Sequence, residues 1–280
     1  MDYKQRVSFN TNDVRIINAL RDFGIEYKTQ GDCGIGAVEL LESDPRWAAL
    51  KAFLGESNYP YSTTAVYSKD EIKSAEWFSI RSKWRWEYPQ PDSGNFGYMK
   101  NITYAGVCPE CGANAVQVGK FRVKRSPKWN LRAFLMLNWV HDVLFVSESA
   151  KNILETAGLK GFHFQPVLNT RGSAEIGDIY QLCVETELPA GKILNDETTK
   201  QKSECSVCGT VKYVSSGRGS FYKLETFDGM SADIAVSKEI FGFGHMAIRE
   251  IVISRQFYET VITNKLDCQL EIAPISLVAF

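Results

Sequence analysis

The amino-acid sequence predicts an α+β protein in two parts, and three observations support this. The chain has 280 residues, about the length of two ordinary domains. Residues 1–70 alternate between strand and helix patterns, and residues 101–280 contain a strand, serine, helix and strand pattern twice. A Cys-x-x-Cys-Gly motif precedes each copy of that pattern.

The composition is that of a folded globular protein. Hydrophobic residues make up 44% of the chain and charged residues 23%, which excludes disordered and collagen-like classes. The 32 basic and 33 acidic residues nearly cancel, so no overall field attracts nucleic acid or an anionic membrane. The sequence shows no secretory signal and no span long and apolar enough for a bilayer. We therefore expect a cytoplasmic protein, in which cysteines stay reduced.

Residues 1–70 are predicted to alternate between strands and helices. The elements in order are a strand at residues 4–9, a helix from its N-cap Thr11 to about Asp22, strands at residues 25–29 and Ile35–Leu41, a helix that starts near Pro45, and a strand at residues 63–67. Gly31 and Gly34 mark the turn between the two middle strands. The order β-α-β-β-α-β predicts a ferredoxin-like sandwich.

Residues 71–100 are predicted to be an aromatic connector between the two parts. The proline, glycine and serine content of residues 88–94 indicates a loop. The segment before it is rich in aromatic and arginine side chains: Trp77, Arg81, Trp84 and Trp86. Such groups are enriched at protein–protein interfaces, and they also occur where a linker packs onto a core. These four residues are therefore candidates for partner binding, with internal packing as an equal alternative.

Residues 101–280 are predicted to form a duplicated domain, with copies at about 101–170 and 201–278. In each copy a hydrophobic strand ends at a serine, Ser147 or Ser254, and a helix follows. The serine hydroxyl can accept a hydrogen bond from the first helical turn, which contributes about 1 kcal/mol. A leucine stands twelve residues after each serine, and a strand with a proline closes each copy. The serines are therefore predicted to be helix caps rather than nucleophiles.

The two Cys-x-x-Cys-Gly motifs predict a metal site made by Cys108, Cys111, Cys205 and Cys208. Two residues between cysteines let a tight turn direct both sulfurs at one ion, and the following glycine permits the positive φ that this turn needs. Four thiolates make a closed, structural Zn²⁺ site with no open position for water or substrate. In an ordinary zinc ribbon the pairs lie about 15–20 residues apart. Here residues 112–204 separate them, so the fold must bring the pairs together.

Three alternatives to zinc remain open from the sequence. The pairs could be redox-active, although neither opens a helix after a thioredoxin-like strand; they could form turns without a metal; or they could hold iron. The other cysteines, Cys33, Cys183 and Cys268, have no such pattern, and the last two suit buried structural positions. The three histidines form no ligand or catalytic pattern. No catalytic residue is therefore assigned, and a non-enzymatic protein is expected.

A basic segment follows the first cysteine pair. Lys120, Arg122 and Lys124 alternate with other residues, which predicts a strand with one cationic face, and the segment continues to Arg132. These charges could lie in solvent or balance the negative four-thiolate site. They could also bind nucleic acid, with Trp129 available to stack on a base. Nucleic-acid binding through residues 120–132 is the first alternative function, and an enzyme whose site the sequence does not reveal is the second.

The paired motifs and the repeated pattern resemble a bacterial family, the double-CxxCG motif proteins, and the related immunity proteins found beside polymorphic toxins. The resemblance rests on the four cysteines, on Gly112 and Gly209, and on residues 143–167, VLFVSESAKNILETAGLKGFHFQPV. It covers about residues 100–280. The resemblance implies a non-enzymatic protein that binds and neutralises a cognate toxin, with zinc as structural support.

Overall fold

The computed structural model describes residues 1–31, 33–57, 59–92, 97–99, 102–172 and 174–279. The protein is α+β, with 39% of its residues in strands and 19% in helices, so the predicted class is confirmed. The chain divides into two compact units. Unit 1 contains Met1–Ser74, Asn195–Thr198 and Ser215–Gly219, and unit 2 contains Ala75–Leu194, Thr199–Val214 and Ser220–Phe280. In the described ranges, no helix is long and apolar enough to cross a membrane.

Unit 1 is a four-stranded antiparallel sheet with helices packed on it. Its elements are β1 (Asp2–Asn10), α1 (Val14–Asp22), β2 (Lys28–Thr29), β3 (Ile35–Leu41), α2 (Pro45–Ser57), β4 (Tyr61–Val66) and α3 (Lys69–Ser74). The strands are ordered β2-β3-β1-β4. Ile16 and Leu20 of α1, and Leu50 and Leu54 of α2, share one buried core with Val7 of β1. Both long helices therefore pack against the sheet through the same core.

Helix α1 has Asp13 as its N-cap rather than Thr11. The Asp13 carboxylate accepts a hydrogen bond from the N–H of Arg15 at 3.1 Å. Thr11 instead donates its N–H and its hydroxyl to the carbonyl of Gly34, at 2.9 and 3.1 Å. The prediction for this cap is wrong because the turn before β3 already uses the polar groups of Thr11.

The described residues of unit 2 form further strands and two α-helices. In chain order they are β5 (Trp77–Ser82), β6 (Arg85–Trp86), β7 (Tyr104–Ala105), β8 (Val116–Gln117), β9 (Arg122–Val123), β10 (Phe134–Leu137), β11 (Leu144–Ser147), α4 (Glu148–Thr156), β12 (Phe162–Asn169), β13 (Glu175–Val184), β14 (Thr199–Glu204), β15 (Val211–Ser215), β16 (Ser220–Lys223), β17 (Ile234–Phe241), β18 (Ile248–Ser254), α5 (Arg255–Thr263) and β19 (Leu270–Val278). They form a six-stranded sheet, β6-β10-β11-β13-β12-β9, a seven-stranded sheet, β14-β15-β17-β18-β5-β19-β16, and the small β7-β8 pair.

The two large sheets share one pattern of strand directions. The six-stranded sheet begins with a parallel pair, β6 and β10, continues with three antiparallel pairs, and ends with a parallel pair, β12 and β9. The strands from β15 to β16 of the seven-stranded sheet follow the same series of directions. In both sheets a helix joins two parallel strands, and an antiparallel strand, β13 or β5, lies between them.

The segment predicted as a connector contributes strands to both large sheets. β5 lies between β18 and β19, and β6 pairs with β10. Alternate residues of β5, Phe78, Ile80 and Ser82, are buried, which is the pattern of a strand inside a sheet. The sequence therefore predicts less regular structure for residues 77–86 than they have, since β5 and β6 are strands of the two large sheets of unit 2. Residues 93–96 and 100 of the predicted connector lie outside the described residues, and so does residue 101, the first of the predicted duplicated domain.

Ser147 and Ser254 cap α4 and α5, as predicted. Each hydroxyl accepts a hydrogen bond at 3.2 Å from the N–H three residues later, that of Ala150 or Phe257. Gly158, directly after the C-cap of α4, has a φ of +69°, the left-handed conformation expected at the end of that helix. The two strand–serine–helix–strand segments of the sequence are therefore β11-α4-β12 and β18-α5-β19.

Candidate metal centre

Each cysteine pair forms a turn between two short strands. Knuckle 1 is residues 108–112, between β7 and β8, and knuckle 2 is residues 205–209, between β14 and β15. In both knuckles the glycine N–H donates to the carbonyl of the first cysteine at 2.9 Å. The two glycines, Gly112 and Gly209, have φ angles of +75° and +70°. The left-handed conformation expected after each pair is therefore present in both turns.

The two knuckles bring their four thiols into one cluster. The Sγ atoms of Cys108, Cys111, Cys205 and Cys208 all lie within 4.8 Å of one another. Between the knuckles, Cys108 Sγ is 3.8 Å from Cys205 Sγ, and Cys111 Sγ is 3.5 Å from Cys208 Sγ. A disulfide bond is about 2.05 Å long, so these contacts are not disulfides. The prediction that the fold unites the two pairs is confirmed.

The cluster has the dimensions of a tetrahedral metal site. With Zn–S bonds of about 2.3 Å, sulfurs at the corners of a tetrahedron lie about 3.8 Å apart. The two distances measured between the knuckles, 3.5 and 3.8 Å, are close to that value. Three of the four cysteines are buried, which suits a closed structural site. These four residues could therefore hold one metal ion.

Cys111 and Cys208 differ in their acidity. Burial raises the pKa of the Cys111 thiol to about 12, which favours its neutral form. Hydrogen bonding to Thr210, whose hydroxyl oxygen lies 3.2 Å from Cys208 Sγ, lowers the pKa of Cys208 to about 6. A thiolate is the form that binds a metal. Cys208 is therefore the more easily ionised thiol of the two, and metal binding would displace a proton more readily there than at Cys111.

A buried lysine, Lys212, joins the two knuckles. It lies on β15, directly after knuckle 2, and its Nζ donates to the carbonyl of Cys111 in knuckle 1 at 3.1 Å. The same Nζ donates to the carbonyls of Gly244 and Met246, at 2.5 and 3.0 Å. An ammonium beside four ionised sulfurs would offset part of their negative charge. The sequence offers residues 120–132 as one possible counter-charge, beside a solvent-exposed or nucleic-acid-binding role. Its one indication for Lys212 is that this residue lies close to the second motif.

Two lysines of the basic segment, Lys120 and Lys124, form ion pairs with acidic residues of unit 2. Lys120 forms an ion pair with Glu175 at 3.4 Å, and Lys124 forms one with Asp92 at 2.7 Å. The strand of this segment, β9, has two residues, which pair with Leu168 and Asn169 of β12, so it is shorter than predicted. Paired charges attract a phosphate backbone less than free ones do. This pairing counts against nucleic-acid binding through residues 120–132.

Arg122 and Trp129 complete the predicted nucleic-acid set, and both contact other parts of unit 2. The Arg122 guanidinium lies so close to Gly172 that a Cβ there would be 2.8 Å from it. The Trp129 indole donates its N–H to the carbonyl of Asp178 at 3.0 Å and packs edge-to-face on Trp84. The ring of Trp129 is therefore engaged within the protein.

The aromatic group predicted for partner binding also packs within unit 2. Trp77, Trp84 and Trp86 are half-buried against two apolar cores. Arg81 is exposed and forms a two-pronged ion pair with Glu271, with N–O distances of 2.9 and 3.1 Å. The sequence leaves partner binding and internal packing open for this group, and the three indoles show internal packing. Their exposed edges are what remains accessible to a partner.

The remaining cysteines lie outside the cluster. Cys33 is exposed in the turn before β3, and Cys183 and Cys268 are half-buried. Burial raises the pKa of Cys183 to about 11, which keeps that thiol neutral and unreactive. These positions suit structural roles for Cys183 and Cys268.

The site that the structure builds is a closed cluster of four thiols, held by two knuckles and one buried lysine. Comparisons with protein-family models and with curated proteins find no match for the chain. The chemistry of the four sulfurs is therefore the strongest indication of function in unit 2.

Proposed function

We propose that the protein is a non-enzymatic, zinc-binding bacterial protein that acts by binding a partner protein in the cytoplasm. The observation that carries this proposal is the cluster of four cysteine sulfurs within 4.8 Å of one another. Four thiolates fill the tetrahedral coordination of Zn²⁺ and leave no position for water or substrate. The metal would therefore support the fold, and the function would rest on the surfaces that the fold presents.

Zinc is the metal that suits the cluster best. Soft thiolate ligands in a tetrahedral arrangement select zinc or iron. Both knuckles have the Cys-x-x-Cys-Gly turn that is typical of structural zinc sites. Neither knuckle begins a helix, which counts against a thioredoxin-like redox role. The role of such a site is structural, because an ion bound by both knuckles would hold together two parts of unit 2 that are distant along the chain.

For unit 1 we propose a ferredoxin-like sandwich. Its first six elements follow the order β-α-β-β-α-β, and its antiparallel sheet has the strand order β2-β3-β1-β4. Each of the two long helices connects strands that are separated by one other strand of the sheet. This split β-α-β connection is typical of that fold.

For unit 2 we propose an intertwined duplication. The two large sheets match in strand directions, and the proline that closes each copy faces an aromatic residue of the middle strand: Pro166 faces Tyr180, and Pro274 faces Phe78. The middle strand comes from the other copy in each sheet, because β5 begins the first copy and β13 begins the second. The copies would then span about residues 77–169 and 175–278, more than the repeated sequence pattern indicates.

The proposed partner is a cognate toxin, and this step rests on the resemblance to immunity proteins found beside polymorphic toxins. The test expresses the toxin domain encoded directly upstream of this chain in a bacterial host, alone and together with the chain, and counts viable cells. The proposal predicts killing by the domain alone and survival when the chain is present. Killing in both cultures would contradict the proposal, and so would the absence of a toxin gene from that position.

A further inference from the structure

Unit 2 contains a cavity of about 670 Å³ beside knuckle 1. Cavities of roughly 300–1,000 Å³ are the size that binds small organic molecules. Three segments enclose most of it: residues 112–116, which follow Cys111; residues 139–142, between β10 and β11; and residues 243–249, around the turn between β17 and β18. Neither a zinc ion in the knuckles nor a toxin partner gives this cavity a role.

Apolar side chains form the walls and the rim of the cavity. Tyr104 and Met246 line it, together with Val116, Trp139 and Phe243. The last three remain exposed to solvent, by 63%, 37% and 67% respectively. Exposed apolar side chains gathered around a concave surface mark a site of interaction. The cavity therefore offers aromatic faces to a ligand.

One carboxylate in the cavity, that of Asp142, has no ion-pair partner among the described residues. Its Oδ2 accepts the backbone N–H of Arg249 at 3.3 Å, and burial raises the pKa of the carboxyl to about 6. The guanidinium of Arg249, which also lines the cavity, is already paired with Glu187. Burial lowers the pKa of His141, so this neighbour is neutral, and Lys212 lies behind the wall, held by backbone carbonyls. The charge of Arg249 also acts on the Asp142 carboxyl and partly offsets the effect of burial on its pKa. Asp142 is the one acidic residue in the described lining of the cavity, and it is the group there that can face a cation.

The backbone is held in an uncommon conformation at one residue of the lining. Trp139 has a φ of +69°, in the left-handed region that bulky side chains rarely adopt. Such conformations are costly, and they gather at sites where the surrounding structure holds a side chain in place for a ligand. The indole of Trp139 also packs against the ring of Tyr88, with the ring centroids 4.5 Å apart, at the rim of the cavity.

We propose that this cavity binds an organic ammonium group attached to an apolar or aromatic body. The Asp142 carboxylate supplies the opposite charge, and the rings of Trp139 and Phe243 attract the cation and cover the apolar part. An anionic ligand would be repelled by the carboxylate. A neutral apolar ligand would bury the carboxylate without a partner, which is unfavourable. A cation on an apolar body satisfies both features of the cavity.

Three ligands of nearly equal shape test this proposal. Phenethylamine, 2-phenylethanol and 3-phenylpropionate carry an ammonium, a hydroxyl and a carboxylate on similar bodies. Each is titrated into the full-length protein as purified, at neutral pH, and binding is followed by NMR shifts of the backbone amides. We expect saturable, millimolar binding of phenethylamine, with shifts at residues 112–116, 139–142 and 243–249. The other two ligands should bind about tenfold more weakly or worse.

Two variants locate the interaction. Asp142→Asn keeps the shape of the side chain and removes its charge, so phenethylamine should bind about tenfold more weakly while 2-phenylethanol changes little. Phe243→Ala changes an exposed side chain, so it leaves the fold intact and should weaken both ligands. Asp228→Asn, at an exposed aspartate outside the cavity, is the matched control and should leave binding unchanged.

Four outcomes would overturn the proposal. The first is that phenethylamine shows no saturable binding. The second is that the alcohol or the carboxylate binds as tightly as the amine. The remaining two concern the position of the shifts and the variants. The NMR shifts fall on residues away from the cavity. Asp142→Asn, or Phe243→Ala if that first variant does not fold, binds phenethylamine as tightly as the unmodified protein.

Discussion

Knuckles 1 and 2 share a motif and a turn, yet their surroundings differ. Knuckle 1 is packed into unit 2: Cys111 is buried, and Gly112 lies against the backbone of His245. Knuckle 2 is more open at its second cysteine, since Cys208 is half-buried and a Cβ added at Gly209 would meet no atom within 4 Å. The second half of the same five-residue motif is thus packed in knuckle 1 and partly open in knuckle 2.

The difference separates what the motif determines from what the fold determines. The motif sets the turn and directs the sulfurs in the same way in both knuckles. The packing sets the acidity of the thiols: burial raises the pKa of Cys111 to about 12, and Thr210 lowers that of Cys208 to about 6. We infer that knuckle 1 is held by the core and that knuckle 2 depends more on the ion for its position.

The largest effect is expected from removing one sulfur of either knuckle. Cys108→Ser and Cys205→Ser should each abolish zinc binding and lower the free energy of unfolding by several kcal/mol, because both remove the same ion. Denaturant unfolding, with and without a chelator, measures the loss. Cys268→Ser, outside the cluster, is the control and should change little. An unchanged unfolding midpoint for either cluster variant would show that no shared ion stabilises the fold.

The next largest effect is expected when the glycine of each knuckle is replaced by alanine, and the loss of stability should differ between the two. A Cβ at position 112 would lie 2.1 Å from the carbonyl oxygen of His245, so the backbone must move. We expect Gly112→Ala to lower the free energy of unfolding by about 3–4 kcal/mol, from overpacking added to the strain of a positive φ. Gly209→Ala carries only that strain and should cost about 1–2 kcal/mol. Equal losses in thermal or denaturant unfolding would refute the difference in packing.

A smaller loss is expected when the lysine between the knuckles is replaced. Lys212→Met removes three hydrogen bonds and leaves the carbonyl of Cys111 without its donor, so the free energy of unfolding should fall by about 2–3 kcal/mol. Competition with a chromogenic chelator should also show weaker zinc binding. Lys238→Met, at an exposed lysine paired with Glu187, is the matched control and should change stability by less than about 1 kcal/mol. An unchanged zinc affinity in Lys212→Met would show that the ammonium does not support the site.

The smallest effect concerns the acidity of knuckle 2. Thr210→Val removes the hydroxyl near Cys208 Sγ, so the pKa of that thiol should rise from about 6 towards its ordinary value. In metal-free protein at pH 7, Cys208 then holds less thiolate and should react more slowly with iodoacetamide. Thr210→Ser keeps the hydroxyl and should react at the unmodified rate. If Thr210→Val reacted as fast as the unmodified protein, the hydroxyl would not be what lowers the pKa.

Each half of the metal cluster could be predicted from the sequence because the determinants of a knuckle are local. The spacing of Cys108 and Cys111, followed by Gly112, is enough to set a turn that points two sulfurs the same way. The helix caps Ser147 and Ser254 could be predicted for the same reason, since a cap bonds within its own first turn.

The features that join distant parts of the chain could not be predicted. β5 pairs with β18 and β19, which lie far along the chain, and its alternating pattern does not say which strands it joins. Lys212 is buried only because the turn at Gly244 and the first knuckle meet it. The residues of the cavity come from separate segments that no local pattern connects.

The central claim is that one zinc ion is held by four sulfurs, two from each knuckle. Its most direct test is zinc-edge X-ray absorption of the purified protein, combined with its metal content. The claim predicts about one zinc per chain with four sulfur neighbours at about 2.3 Å. Less than about half an equivalent of zinc, or nitrogen or oxygen neighbours in place of sulfur, would contradict it.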